Sequence, residues 1–426
     1  MTNTLVLLPY LKNESDMRTP LSRLEEVTSL TKAIDLNVIK SALVPLSAIK
    51  ANAFIGKGTI ENYAPLIKEN DIEVVIMACP LSPLQQRNLE KAWNTKVIDK
   101  TALILEIFGK RARTREGVLQ VELAHLTYAR SRLVRSWTHL ERQRGGSGFL
   151  GGPGETQIEL DRRLIDEDII KIKKELEDVK KTRHLHRAAR KKIPFPVVAL
   201  VGYTNAGKST LFNKLTHADV MAKDMLFATL DPTMRRIKLP SGQEVILSDT
   251  VGFISDLPTE LVMAFRATLE EVLDADVVVH VRDYYHEDSR AQRIDVENVL
   301  SDLGLKEMVD DGLIEALNKI DLFEEDDRRM ILEQKTRREK ECPICAYTGE
   351  GFEKLLNCIE KALNRDAKTV LLHIPVTEGK ALAQIYQKAQ VLNRKDTQKV
   401  IKLEVKIKES ELFYFTPFIK KIEQEN

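Results

Sequence analysis

Residues 202–209 read Gly-Tyr-Thr-Asn-Ala-Gly-Lys-Ser: two glycines separated by four residues, with Lys208 and Ser209 directly after the second. Glycines at this spacing let successive backbone N–H groups wrap a chain of phosphates, and a helix beginning at the lysine turns its positive end toward the same anion. Lys208 is placed to reach the β- and γ-phosphates, and the Ser209 hydroxyl to ligate Mg²⁺. The apolar run "PVVALV" before this loop and "STLFNKL" after it supply the strand and helix that the motif requires. Gly202, Tyr203, Thr204, Asn205, Ala206, Gly207, Lys208, Ser209 and Thr210 therefore form the expected phosphate-binding segment. Its chemistry is in-line transfer of a phosphoryl group.

Three further stretches define the nucleotide and the reaction. About 110 residues downstream, an apolar strand ends in Asn318-Lys319-Ile320-Asp321. The Asp321 carboxylate accepts hydrogen bonds from guanine N1 and N2, a donor pair that adenine lacks, so the base is expected to be guanine. Lys319 would pack along the base plane. Between the two motifs, "VILSDTVGF" places Asp249, Thr250, Val251 and Gly252 at a strand end. There the carboxylate holds Mg²⁺ through water, and the Gly252 N–H bonds the γ-phosphate until it departs. Phe227, Ala228, Thr229, Leu230 and Asp231, in "LFATLDPT", supply Thr229, whose hydroxyl would meet the metal only in the triphosphate state. Lys208, Thr229 and Gly252 are thus the expected catalytic groups, and Ser209, Thr229 and Asp249 the metal ligands.

Cys345, Ala346 and Tyr347 occupy the position of a backbone loop that contacts the guanine carbonyl. Cysteine in place of the usual serine there keeps the main-chain contact and weakens the side-chain hydrogen bond. Phe253 follows Gly252 and has no polar atom to orient an attacking water, so unaided hydrolysis is expected to be slow. Glu315, inside the apolar strand "LIEALNKID", needs a buried partner. "HVRDYY" at 280–285 is more polar and aromatic than the end of a buried strand should be.

These residues need elements to hold them, and 426 residues exceed a single core. Residues 1–115 alternate strand-like runs ("TLVLLPY", "IEVVIMA", "KVIDK") with amphipathic stretches ("GTIENYAPLIKEN", "SPLQQRNLEKAW") and read as an α/β domain with a parallel sheet. Gly56 and Gly58 read as a structural turn before a helix.

Residues 116–193 carry two apolar stripes, Leu119, Leu123, Leu126, Leu133, Trp137, Leu140 and then Ile165, Ile169, Ile172, Leu176, Val179. They predict a long antiparallel helical hairpin, with Arg130 interrupting the first stripe. Its tip is the glycine-rich run 145–154, "GGSGFLGGPG". From Gly109 to Lys192 there are 21 Lys and Arg against 12 Asp and Glu, a local net of +9 against −8 for the rest of the chain, which suggests a polyanionic partner for the hairpin. A second α/β unit at 194–365 carries the nucleotide motifs. "TVLLHIPV", "KALAQIYQKA" and "VIKLEVKI" indicate a small α+β domain at 366–426. No run approaches a membrane span, no secretory signal is evident, and four cysteines make no disulfide scaffold, so a cytoplasmic protein is expected. The lone Cys342-x-x-Cys345 pair lacks the second pair of a zinc site and reads as strand residues.

Beyond its nucleotide motifs, the chain resembles the HflX family within the Obg–HflX group of translation-associated GTPases. The resemblance runs from about residue 50 to 365. It rests on "KVIDKTALILEIFGKRARTREGVLQVELA", "LVRSWTHLERQRGGSGFLGGPGETQIELDRRLI", "GYTNAGKSTLFNKL", "LFATLDPT", "DTVGFI" and "NKID", the stretch 133–165 being the most specific. It implies a P-loop, Ras-like GTPase domain hydrolysing GTP with Mg²⁺, and a monomer that binds the large ribosomal subunit and its rRNA, with no DNA partner. It also implies that the protein separates stalled or idle ribosomes into subunits, particularly under stress. Arg130, Arg132, Arg135, Arg142 and Arg144 would then bind rRNA phosphates, and Gly145, Gly146, Gly148, Gly151, Gly152 and Gly154 would thread among bases where side chains obstruct. A large-subunit assembly factor and a GTP switch for RNA binding without turnover are the alternative readings.

Overall fold

The computed structural model describes residues 2–12, 17–143, 153–190, 195–217, 233–255, 272–365 and 367–423. Three sheets organise the chain.

The N-terminal sheet has order β2-β1-β3-β4, formed by β1 (Asn3–Leu11), β2 (Asn37–Leu46), β3 (Val74–Met77) and β4 (Lys96–Asp99), all parallel. Helices α1 (Pro20–Lys32), α2 (Lys57–Glu69) and α3 (Pro83–Trp93) make the crossovers, and α4 (Lys100–Arg111) follows β4. The short runs bury Leu5, Leu7, Val75 and Met77 on one side and Val6, Leu8 and Ile76 on the other, the two-sided burial of a parallel sheet. Gly56 is the N-cap residue of α2, as the turn reading has it. Strand β2 and helix α1 escape the sequence reading. β2 is an edge strand, half of whose residues are exposed, so it shows no clean alternation. In α1 only Leu24, Val27 and Leu30 mark the apolar face.

Helices α5 (Arg115–Gln143, 29 residues) and α6 (Pro153–Arg190, 38 residues) form the hairpin. Leu119, Leu123, Leu126, Ile172, Leu176 and Val179 pack together at its base. Further out, Arg130 Nε bonds Asp166 Oδ1 at 2.8 Å, which explains the arginine within the stripe and fixes the antiparallel register. Pro153 opens α6, where its missing N–H costs nothing, so Gly154 belongs to the first helical turn and not to the tip. Arg144, Gly145, Gly146, Gly148, Gly151 and Gly152 lie outside the described residues.

The central sheet has order β10-β9-β8-β5-β7-β6: β5 (Val197–Val201), β6 (Thr233–Lys238), β7 (Glu244–Asp249), β8 (Val277–Asp283), β9 (Ile314–Asn318) and β10 (Glu341–Pro343). It is parallel except for the β6–β7 hairpin. Helix α7 (Lys208–Thr216) follows β5. One contiguous buried cluster joins the N-terminal unit (Leu103, Ile107, Phe108, Val121) to the central one (Val201, Tyr203, Phe253, Ile254). The C-terminal sheet is antiparallel, order β12-β13-β11-β14, from β11 (Ala367–Pro375), β12 (Gln390–Asp396), β13 (Val400–Lys408) and β14 (Ile419–Glu423). The helix Gly379–Lys388 contributes Ile385 to its core. The fold is thus α/β, a P-loop GTPase unit preceded by an α/β unit with a helical hairpin and followed by a small α+β unit. Among the described residues no helix is long and apolar enough to cross a membrane.

Candidate active site

The site lies where β5, β7, β9 and β10 end. Val198, Leu200 and Val201 are fully buried, so β5 is fixed on both faces and the chain leaving it at Gly202 has a defined start. A Cβ at Gly202 would sit 2.1 Å from the Val281 carbonyl oxygen, which excludes every other residue. Gly207 has φ +93°, and a Cβ there would lie 2.1 Å from Asn318 Nδ2. The two glycines are therefore demanded by strand and amide as well as by phosphates.

Asn318 is the joint of the site. Its Nδ2 donates to the Ala206 carbonyl at 2.8 Å and its Oδ1 accepts from the Ala346 N–H at 2.9 Å. One buried amide thus ties the phosphate loop to the loop at Cys345 and Ala346. Gly349 N–H donates to the Cys345 carbonyl at 2.8 Å, and Thr348 N–H to Cys345 Sγ at 3.4 Å, so the sulfur takes up a turn contact in place of a serine hydroxyl. Tyr347 is 81% exposed. Lys319, with φ +67°, reaches Asp283 at 2.7 Å, while Ile320 is buried and Asp321 lies on the surface.

Lys208 is buried, its Nζ donating to the carbonyls of Gly202 at 3.0 Å and Tyr203 at 2.8 Å. Burial brings its ammonium down to about 8, with Asp249 opposing. Ser209 Oγ donates to Asp249 Oδ2 at 2.7 Å. Thr250 Oγ1 donates to the Leu200 carbonyl at 2.6 Å, and Val251 is buried. A Cβ at Gly252 would meet Thr204 Cα at 2.9 Å and Lys208 Nζ at 3.1 Å, so the segment after β7 runs directly against the phosphate loop. Phe253 closes it like a short strand: Thr204 N–H donates to its carbonyl at 2.7 Å and its N–H to the Gly202 carbonyl at 3.0 Å. Its ring is buried in the core. Asn205 is exposed, and Thr210 lies in the first turn of α7. Phe227, Ala228, Thr229, Leu230 and Asp231 lie outside the described residues.

Tyr203 shows a role that no local motif carries. Its ring is buried under the Arg18 guanidinium, 5.2 Å from the centroid. The phenol donates to Glu26 Oε1 at 3.1 Å and accepts from Arg18 Nη1 at 3.1 Å and Ser255 N–H at 2.7 Å. Burial, then Glu26, pushes the phenol up, so it stays protonated. Lys100 Nζ donates to Ser255 Oγ at 2.7 Å, and Ser22 bonds Asp288. A polar network thus fastens α1 and the start of α4 to the phosphate loop and the end of "DTVGFIS". Glu315 finds its partners in Arg282 and in Arg293 Nη2 at 3.0 Å. His280, beside them in β8, is kept neutral by burial first and then by Arg282, Arg293 and Lys208.

Of the hairpin arginines, Arg132 is spent inside the protein. Its guanidinium bonds Tyr128 Oη at 2.6 Å, the Leu81 carbonyl at 3.3 Å, Asp99 at 3.4 Å and Gln86. It secures the hairpin base to the N-terminal sheet, a correction to its expected phosphate contact. Arg135 and Arg142 lie on α5.

Family models match almost the whole chain: a GTP-binding GTPase N-terminal region at 22–109, a GTP-binding GTPase middle region at 111–190, a 50S ribosome-binding GTPase at 197–319 and an HflX C-terminal domain at 330–414. The GTPase HflX of Magnetococcus marinus is 50% identical over 87% of this chain and 84% of its own length. The GTPase HflX of Escherichia coli is 42% identical over 89% and 87%. A GTP-binding protein of Sulfolobus solfataricus, solved in complex with GDP, aligns with a TM-score of 0.44 and 22% identity over 86% of this chain and 99% of that one. With a phosphate loop, a guanine-type strand end and these relatives along nearly its full length, the chain belongs to the HflX family of GTPases.

Proposed function

We propose that this GTPase binds the large ribosomal subunit, dissociates stalled or idle ribosomes into subunits, and is stimulated by the ribosome to hydrolyse GTP. The α5–α6 hairpin carries this reading. Its first helix extends about 44 Å, its base is packed by Leu119, Leu123, Leu126, Ile172, Leu176 and Val179, and its sequence holds the chain's excess of positive charge. Such a rod is suited to reach into RNA, with charge on phosphates and bare main chain among bases. The description of the model matched at 197–319, a 50S ribosome-binding GTPase, agrees with it. Arg130, Arg135, Arg142, Arg144 and the glycines of the tip are the proposed RNA contacts, and 1–115, 116–193, 194–365 and 366–426 the proposed domains. The protein acts in this reading as a cytoplasmic monomer.

At the site, Lys208 would exchange its two carbonyl partners for the β- and γ-phosphates, regaining full charge as it does so. Ser209 and Asp249, hard oxygen donors 2.7 Å apart, fit Mg²⁺, with Thr229 completing the set. Held by these residues, Mg²⁺ would supply positive charge against the negative charge that builds on the phosphate oxygens. Gly252 N–H would hold the γ-phosphate. Asp321 would read the guanine edge, with Lys319 along the base. The buried apolar ring of Phe253 cannot position water, so the ribosome or another residue must complete the catalytic arrangement.

Sucrose-gradient profiles of purified ribosomes incubated with the protein and a non-hydrolysable GTP analogue test this directly. Conversion of whole ribosomes to subunits is the expected result. Intact ribosomes together with binding to immature large subunits would instead identify an assembly factor, and phosphate release no faster with saturating ribosomes would remove ribosome stimulation.

A further inference from the structure

Among the described residues, two thiols approach each other closely. Cys342, in β10, is fully buried. Cys358, in the helix Phe352–Leu363, is partly exposed in a groove of about 550 Å³ that is also lined by Arg337, Lys354 and Lys361 and by Glu339 and Glu353. Their sulfurs are 3.4 Å apart, with Cys342 donating to Cys358, and the Cys358 thiol in turn donates to the Glu339 carbonyl at 3.0 Å.

The two are chemically unequal. The hydrogen bond from Cys342 brings Cys358 down to about 7, with Lys354 and Lys361 assisting against burial and Glu339. The same hydrogen bond, with burial, pushes Cys342 up. Cys358 is therefore the more acidic thiol of the pair and is open to the groove, while Cys342 remains a thiol behind it. This is the arrangement of an attacking and a resolving cysteine.

We propose that Cys358 is a peroxide-reactive thiol with Cys342 as its resolving partner, and that the disulfide between them staples the loop carrying Cys345, Ala346 and Tyr347, slowing nucleotide release. The Cys358 thiolate attacks one oxygen of hydrogen peroxide; an S–O bond forms, the O–O bond breaks, and the departing hydroxide takes a proton to become water. The Cys342 sulfur then attacks the Cys358 sulfenic sulfur, the S–S bond forms, and the S–O bond breaks. The hydroxide leaves as a second water with the Cys342 proton. Two thiols lose two electrons in total to one peroxide.

The functional effect follows from position. Cys342 and Cys358 are 16 residues apart, and the loop they bracket contains the Ala346 N–H on Asn318 and the Ile344 N–H on the Leu317 carbonyl at 2.8 Å. Gly351 packs so tightly at the helix start that a Cβ there would lie 2.0 Å from the Pro343 carbonyl oxygen. A covalent tie at the base of this loop restricts the opening through which the base must leave.

The test uses the reduced full-length protein, equimolar hydrogen peroxide at pH 7.5, thiol counting after denaturation, peptide mapping, and release of a fluorescent GDP. The four thiols should fall to two, with a Cys342–Cys358 cross-linked peptide and a mass loss of about 2 Da. GDP release should slow about threefold or more, and dithiothreitol should reverse it. Cys358→Ser should abolish the reaction, Cys79→Ala should leave it intact, and Cys342→Ser should accumulate a dimedone-reactive sulfenic acid at Cys358. Retention of four thiols, oxidation of Cys358 to sulfinic acid without a cross-link, or a disulfide with unchanged GDP release would each overturn the proposal. None of these readouts involves the ribosome.

Discussion

Two residues of the site have measurable consequences of their own. Asn318 fills both its hydrogen-bonding ends with backbone from separate loops, so Asn318→Ala leaves a buried carbonyl and a buried N–H unpaired. Each costs about 1–3 kcal/mol. GDP affinity should fall by tenfold or more in a fluorescence titration while the circular dichroism spectrum is retained. Lys208 gives a pH signature. With its folded value lowered to about 8 and the unfolded value near 10.5, the nucleotide-free protein binds fewer protons than the unfolded chain between those limits. Lys208 thus adds stability as pH rises from 8 toward 10.5, and that stability is lost as pH falls through 8. Phosphates need the ammonium, so GDP binding above pH 8 should take up a proton, and affinity should drop by up to about tenfold per pH unit. Calorimetry at pH 9 in two buffers of different ionisation enthalpy checks this, and zero uptake would contradict it.

What could be read at this scale divides by distance along the chain. Gly207, Lys208, Ser209 and Asp321 could be singled out because phosphate and guanine chemistry requires their neighbours at fixed spacing. The need of Glu315 for a partner was legible too, although not that Arg282 and Arg293 would meet it. Arg18 was invisible because its partner Tyr203 lies 185 residues away.

Among elements, the contact of α1 with the phosphate loop matters most. It is a polar network around one phenol, flanked by the shared apolar cluster that includes Leu24, Val27 and Tyr203. Tyr203→Phe keeps the ring beneath Arg18 and removes the oxygen that serves Arg18, Glu26 and Ser255. A loss of about 2 kcal/mol is expected, because the Ser255 N–H loses its acceptor and Arg18 and Glu26 each lose one of their hydrogen bonds. It should appear as faster hydrogen exchange at 203–209 and 251–255, with α5 and α6 unaffected. Uniform exchange in both segments would show that the network does not hold them. Strand and helix elements with strong periodicity, such as β1, α3 and the base of α5, emerged from the sequence. The edge strands β2 and β12 did not, because exposed residues leave them no clean alternation, whereas the edge strand β4 buries Val97 and Ile98 and was legible. The same limit applied to Arg132, whose type and place on a basic helix suggested a phosphate partner, while Asp99 and Tyr128 claim it in space.

For the whole molecule, the proposed function assigns nucleotide chemistry to the GTPase unit and RNA contact to the hairpin. Its base is anchored by Arg132 and by Leu119, Ile172 and Leu176, so removing residues 144–152 leaves both the anchor and the nucleotide loops untouched. That deletion should preserve GDP affinity and abolish subunit separation. Charge gives the sharper measurement. Each arginine that neutralises an RNA phosphate releases a counterion and contributes about 0.7–0.9 to the slope of log affinity against log salt. Arg132 is excluded by its internal partners, and Arg130 already faces Asp166. Arg135, Arg142 and Arg144 remain as the discriminating set. Replacing all three by Ala should lower the slope of ribosome binding by about 2 and weaken binding most at low salt. Arg132→Ala should instead loosen the hairpin base and lower thermal stability with the slope nearly unchanged. If the triple variant kept the parental slope, the positive charge of the hairpin would be a solvated surface, and affinity for the ribosome would have to originate in the GTPase unit or the N-terminal sheet.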